Sequence, residues 1–129
     1  MKEKTLIVWQ DGHPELERMA AYLGEKLAGT QRDVIVRMAS AVTIPEVLAA
    51  SSYLFGADAA GSDSYDEIAR LMRGINLAGR AAAFFGTNGA AVAWLREMTK
   101  DAELITTTAD LVGTRPDQNS VAAILRAFA

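Results

Sequence analysis

The only histidine of the chain, His13, lies in the run Gln10-Asp11-Gly12-His13-Pro14-Glu15, with a carboxylate on either side. A protonated His13 would offset one of the two carboxylates, and with Asp11 and Glu15 it makes a thin metal-binding set; a solvated loop histidine is the plainer reading. The same run ends an apolar stretch and opens a helical one. Its backbone amides therefore sit at a helix N-terminus, where an anion is favoured. Two further corners share this layout: Leu54-Phe55 gives way to Gly56-Ala57-Asp58-Ala59-Ala60-Gly61-Ser62-Asp63, and Phe84-Phe85 to Gly86-Thr87-Asn88-Gly89. Their glycines either let a ligand approach the backbone closely or serve as tight turns. In open α/β sheets the ligand crevice lies at the carboxyl ends of the strands, where strand order reverses. The three corners are the candidate site.

Elements that position such corners can be read along the chain. Thr5–Trp9 is a continuous apolar run, as for a strand buried on both faces. Leu16, Met19, Ala20, Leu23 and Leu27 recur at helical spacing, with Pro14 in the first turn and Gly29 as the stop. Asp33–Met38 reads as a second, less central strand, and Thr43–Ala50 as a short helix with Pro45 near its start. Ser52–Phe55 is the third strand, followed by a helix over Tyr65–Ile75. The fourth strand, Ala81–Phe85, precedes a helix over Ala90–Lys100. The fifth, Glu103–Thr107, precedes an irregular stretch containing Gly113 and Pro116, then a last helix over Asn119–Phe128. Strands alternating with helices imply right-handed crossovers and a single three-layer α/β/α domain spanning 1–129.

Composition excludes several classes. A net charge of −3 lacks the Lys/Arg excess that a sequence-independent nucleic-acid binder needs. No cysteine is present, so disulfides, thiolate metal sites and thiol nucleophiles are excluded, and any redox chemistry must come from a cofactor. Neither a signal peptide nor a membrane span is legible, and the expected location is the cytoplasm. No Ser/His/Asp set, metal-ligand spacing or paired-carboxylate pattern marks an independent catalyst.

The segment Leu77-Ala78-Gly79-Arg80-Ala81-Ala82-Ala83-Phe84-Phe85-Gly86-Thr87-Asn88-Gly89 resembles the flavodoxin family, whose fourth strand follows a leucine-x-glycine-lysine turn and ends in a phenylalanine-glycine loop. Leu54–Asp63 is similar to that family's third-strand loop. The resemblance implies a flavodoxin-like sandwich with a five-stranded parallel sheet in the order 2-1-3-4-5, non-covalent FMN, and electron transfer to a protein partner. It places the phosphate, or a related small anion, at Gln10, Asp11, Gly12, His13, Pro14 and Glu15, against the Gly12, His13 and Glu15 amides. The flavin ring falls between Ala57-Asp58-Ala59-Ala60-Gly61 and Gly86-Thr87-Asn88-Gly89. Asp58, Asp63 and Asp66 would then disfavour the anionic reduced flavin and steer a basic redox partner.

Both corners depart from the family pattern. The family's phosphate turn is rich in hydroxyls, whereas this one has none, Pro14 removes a donor, and Asp11 and Glu15 bring charge. Two unit charges ~4 Å apart repel by roughly 4 kcal/mol at a surface-like dielectric, more than one or two neutral hydrogen bonds return. The ring loops carry no aromatic residue, leaving Trp94 and Tyr65, which sit in helical patterns. Two alternatives follow. One is a cofactor-free flavodoxin-like binding or regulatory module. The other is a pseudo-receiver signalling domain using Asp11, Asp58 and Thr87, although Thr106-Thr107-Thr108-Ala109 stands where such a domain has a lysine.

Overall fold

The apolar runs form parallel strands. In the computed structural model, which describes residues 3–30, 32–61, 63–106, 110–115 and 117–128, Lys4–Trp9 (β1), Asp33–Met38 (β2), Ser52–Ala57 (β3) and Ala81–Gly86 (β4) pair in parallel in the order β2-β1-β3-β4, with Ile105–Thr106 (β5) beyond β4. This is the expected 2-1-3-4-5 sheet. Strand order reverses between β1 and β3, whose carboxyl ends carry the first two corners.

The helices are Pro14–Ala28 (α1), Ile44–Ala49 (α2), Asp66–Gly74 (α3), Gly89–Thr99 (α4) and Gln118–Ala127 (α5). Strand side chains alternate between faces, and each face has its own core. Ile7, Trp9, Leu54 and Phe85 pack with Leu16, Leu23 and Leu27 of α1 and with Val121 and Ile124 of α5. Leu6, Val8, Phe55 and Phe84 pack with Val47 of α2, Ile68 and Met72 of α3, and Val92 and Leu95 of α4. Among the described residues no helix is long and apolar enough to cross a membrane.

The fifth strand departs from expectation. Glu103 has φ 62°, the left-handed region that ends the short 3-10 turn Lys100–Ala102, so the strand starts only at Ile105. It then resumes in a second short segment, Leu111–Val112 (β6), which also pairs in parallel with β4. β6 falls in the stretch read as irregular. Thr107, Thr108, Ala109 and Pro116, on which part of that reading rested, lie outside the described residues, as does Ser62. β3 and β4 each run past the expected Phe ends, to Ala57 and Gly86.

α2 is short and depends on its cap. The Thr43 side chain accepts from the Glu46 amide, the Glu46 carboxylate accepts from the Thr43 amide at 3.0 Å, and Arg37 Nε donates to the same carboxylate at 3.0 Å. These contacts, the Thr43 amide foremost, hold the Glu46 carboxyl below its ordinary range. A lowered folded-state pKa contributes stability above the ordinary carboxylate range, and that stability is lost as pH falls through the folded value. Glu46→Gln is expected to lower stability by about 0.5 kcal/mol at neutral pH and by nothing in acid. Urea midpoints at the two pH values check this, and a loss of equal size at both would show that the charge is irrelevant.

Candidate functional site

Three strand ends meet at one rim, and the side chains of the three corners bind one another. Gln10 follows β1 directly and is 5% exposed. Its amide donates to the Gly56 carbonyl at 3.1 Å, and its Oε1 accepts from the Asp58 and Ala59 amides at 2.6 and 3.2 Å. One glutamine thus ties the first corner to the second. Asp58 continues the chain of contacts, with one carboxylate oxygen accepting from the Thr87 hydroxyl and the other 3.5 Å from His13 Nδ1. The Asp58 carbonyl accepts from Asn88 Nδ2 at 2.7 Å, while Asn88 Oδ1 caps α4 by accepting from Ala91 N at 2.9 Å. His13, Asp58, Thr87 and Asn88 therefore form one polar strip across all three corners.

Beneath this strip the switch-point crevice is filled from within. Tyr65 ends the 3-10 turn Asp63–Tyr65 and is fully buried. Its hydroxyl donates to the Gly56 carbonyl at 2.7 Å, with the Val8 carbonyl at 3.3 Å, and accepts from Gly56 N at 3.2 Å. Burial pushes the phenol pKa far up, so the hydroxyl remains a donor. Trp94 packs edge-on against the Tyr65 ring at 5.5 Å. Tyr65 is thus committed to the interior, and Trp94, partly buried, packs against it.

The remaining candidates divide clearly. Ala57 and Gly86 are buried strand residues, while Gly12, Pro14, Glu15, Ala59, Ala60, Gly61, Asn88 and Gly89 are exposed. Gly12 and Gly61 take φ +81° and +73°, which turns require. Gly56 and Gly86 serve packing, because a Cβ would meet the Phe85 ring at 2.1 Å or the Ala57 carbonyl at 2.7 Å. Asp11 turns to a residue that the sequence did not single out: its carboxylate accepts from the amide (3.1 Å) and hydroxyl of Ser40, just after β2. Asp11 and Asp58 thus serve different partners, and among the described residues no three His, Asp or Glu side chains converge as metal ligands. α1 has no side-chain cap, and Glu15 and Glu17 put negative charge in its first turn, where the helix dipole favours it.

Features of each corner run against FMN. The turn before α1 has no hydroxyl of its own, that of Ser40 is bound to Asp11, and Pro14 at the helix start offers no amide. Gln10 already occupies the Asp58 and Ala59 amides. Only Thr87 and Asn88 separate β4 from α4, so the third corner is a two-residue connection without an aromatic side chain. Gln10→Ala, which strands two amides at a partly buried turn, is expected to cost about 1–2 kcal/mol and to speed hydrogen exchange at Asp58 and Ala59. Unchanged exchange at those amides would remove the clamp role.

Comparison with solved structures decides the architecture. Flavodoxin 2 from Bacillus cereus, in its oxidised form, superposes with TM-score 0.79 at 18% identity over 97% of each chain. The fold is flavodoxin-like. The two-electron reduced Megasphaera elsdenii flavodoxin gives 0.72 at 20% identity over 97% of this chain and 99% of that one. A Streptococcus pneumonia TIGR4 flavodoxin gives 0.77 at 15% identity over 97% and 94%. No protein-family profile matches the sequence, and no curated protein matches it. At such identities the likeness carries the fold alone, and the side chains of the flavodoxin-like rim must speak for its chemistry.

Proposed function

We propose that the chain is a flavodoxin-like binding module whose strand-end rim works without flavin. The observation that carries this is the Gln10 clamp: two amides of the second corner, those of Asp58 and Ala59, are taken by a buried side chain of the first. Burying a ligand there would require breaking those bonds and unseating Asp58 from Thr87 and His13. What the rim presents to solvent instead is a polar strip, with Asp58, Asn88, Glu15 and His13 available to a partner with complementary donors. Such a module binds through side chains held in place by the sheet beneath them.

A second reading, an FMN electron carrier with a basic redox partner, draws on two observations. The superposed proteins are named flavodoxins, and α1 has no side-chain cap on its first-turn amides. One measurement separates the two readings: titration of FMN with the purified chain, read by flavin fluorescence and visible absorption. A colourless protein that leaves FMN fluorescence unchanged is expected. A yellow protein, or quenching that saturates at one equivalent, would overturn the first reading in favour of the second. Under the second reading, Asp11→Thr with Glu15→Thr tightens FMN by removing two negative charges from the phosphate corner.

A further inference from the structure

β2 is the outer strand of the sheet, and its sequence Asp33-Val34-Ile35-Val36-Arg37 is complementary to itself when reversed. Laid antiparallel about Ile35, it sets Asp33 opposite Arg37 at both ends, Val34 opposite Val36, and Ile35 opposite Ile35. Moving the register by two residues either way sets a charged end opposite Ile35 and loses both charge pairs. Asp33 and Arg37 are exposed, and the three residues between them are only half-buried.

The backbone supports the same register. Asp33 N donates inward to the Glu3 carbonyl at 2.9 Å, so the amides and carbonyls of Asp33, Ile35 and Arg37 face β1. Those of Val34 and Val36 face outward, since a residue's N–H and C=O point to the same side of a strand and alternate along it. Val34 opposite Val36 is then a hydrogen-bonded antiparallel pair. Ile35 opposite Ile35 is a non-hydrogen-bonded one, the kind that brings side chains closest. Asp33, Ile35 and Arg37 share the sheet face of α2, where Ile35 packs against the core and Arg37 binds Glu46. Val34 and Val36 share the α1 face.

We propose that β2 pairs with β2 of a second copy of this chain, antiparallel about a two-fold axis at Ile35, joining two sheets into one. Charge complementarity and hydrogen-bond polarity select a second copy as the occupant of this edge. In the separate chain Arg37 Nη1 covers the outward Val36 carbonyl at 3.1 Å, a guard of the kind exposed edges carry. On pairing, that carbonyl passes to the Val34 amide of the second copy, and the guanidinium turns toward Asp33 across the seam.

The test is a charge-swap cycle followed by sedimentation velocity over a concentration series. The unsubstituted chain is expected to dimerise. Asp33→Arg sets Arg against Arg at both ends and Arg37→Asp sets Asp against Asp, so each alone is expected to weaken the dimer by about tenfold or more. An equimolar mixture of the two variants restores opposite charges at both ends and is expected to dimerise again. Val34→Pro removes an outward amide that β1 does not use, and is expected to weaken the dimer while circular dichroism shows the fold retained; it carries the test if a charge variant fails to fold. A chain that stays monomeric at every concentration, a dimer indifferent to these changes, or a mixture that remains monomeric overturns the proposal.

Discussion

Replacing Gly56 by Ala is expected to lower stability by about 3 kcal/mol or more, an overpacking penalty at the high end of its class. Gly56 lies in β3 directly opposite Phe85 of β4, and the Phe85 ring lies over it. An added Cβ would stand 2.1 Å from Cε2 and 2.2 Å from Cζ of that ring. The ring has no exposed position to move to, being fully buried among Leu54, Leu16 and Leu111. Room made by shortening the neighbour should relieve the clash. Phe85→Leu alone is expected to cost about 1–2 kcal/mol through lost burial, yet in the Gly56→Ala background it is expected to restore stability. Denaturant unfolding of the four proteins in this cycle measures the coupling, and strict additivity would show that the ring does not fill the glycine's space.

Tyr65 carries the second large effect, and two substitutions divide it. Tyr65→Ala is expected to cost about 3–5 kcal/mol, the range for removing a fully buried aromatic side chain. Tyr65→Phe keeps the ring against Trp94 and removes only the hydroxyl, at an expected cost of about 1 kcal/mol because the buried hydrogen bond that it donates to the Gly56 carbonyl is lost. The hydroxyl bonds at the junction of β1 and β3, so Tyr65→Phe is also expected to quicken hydrogen exchange at Gly56 and Gln10 more than elsewhere in the sheet. Uniform exchange changes would instead point to general loosening.

Much of the scaffold is legible in the sequence because periodicity over ten or more residues survives tertiary context. The α1 stripe Leu16, Met19, Ala20, Leu23 and Leu27 is buried throughout. The alternation within Asp33–Met38 foretells a less central strand, and β2 lies at an edge of the sheet. What stays hidden depends on register. Gly56 next to an apolar run reads as the start of a loop, and only the pairing with Phe85 shows that it is a strand residue kept small by its neighbour. Gln10 reads as one more residue of the first turn, since the amides that donate to its side chain lie 48 and 49 positions away. Tyr65 fits a helical pattern, but it sits in the turn before α3 and reaches back 57 positions to β1. Two-residue strands such as β5 and β6 offer no alternation to detect, which is why the division of the fifth strand escapes a reading of the residues. At the rim, side-chain chemistry is visible and side-chain pairing is not. Ser40 as the partner of Asp11 has no local signal at all.

The interrupted fifth strand bears on how this chain tolerates change. β5 residues stand 24 positions beyond their β4 partners, whereas β6 residues stand 26 beyond theirs. Two residues are thus accommodated between the halves while both still hold β4, one at Ala81 and Ala82, the other at Phe85 and Gly86. Length at this point is uncoupled from alignment. A peptide tag or sensor sequence spliced between Thr106 and Leu111 would fall between two segments that each hold β4 on their own, leaving the rim at the far end of β4 anchored by the Gly113 amide on the Gly86 carbonyl.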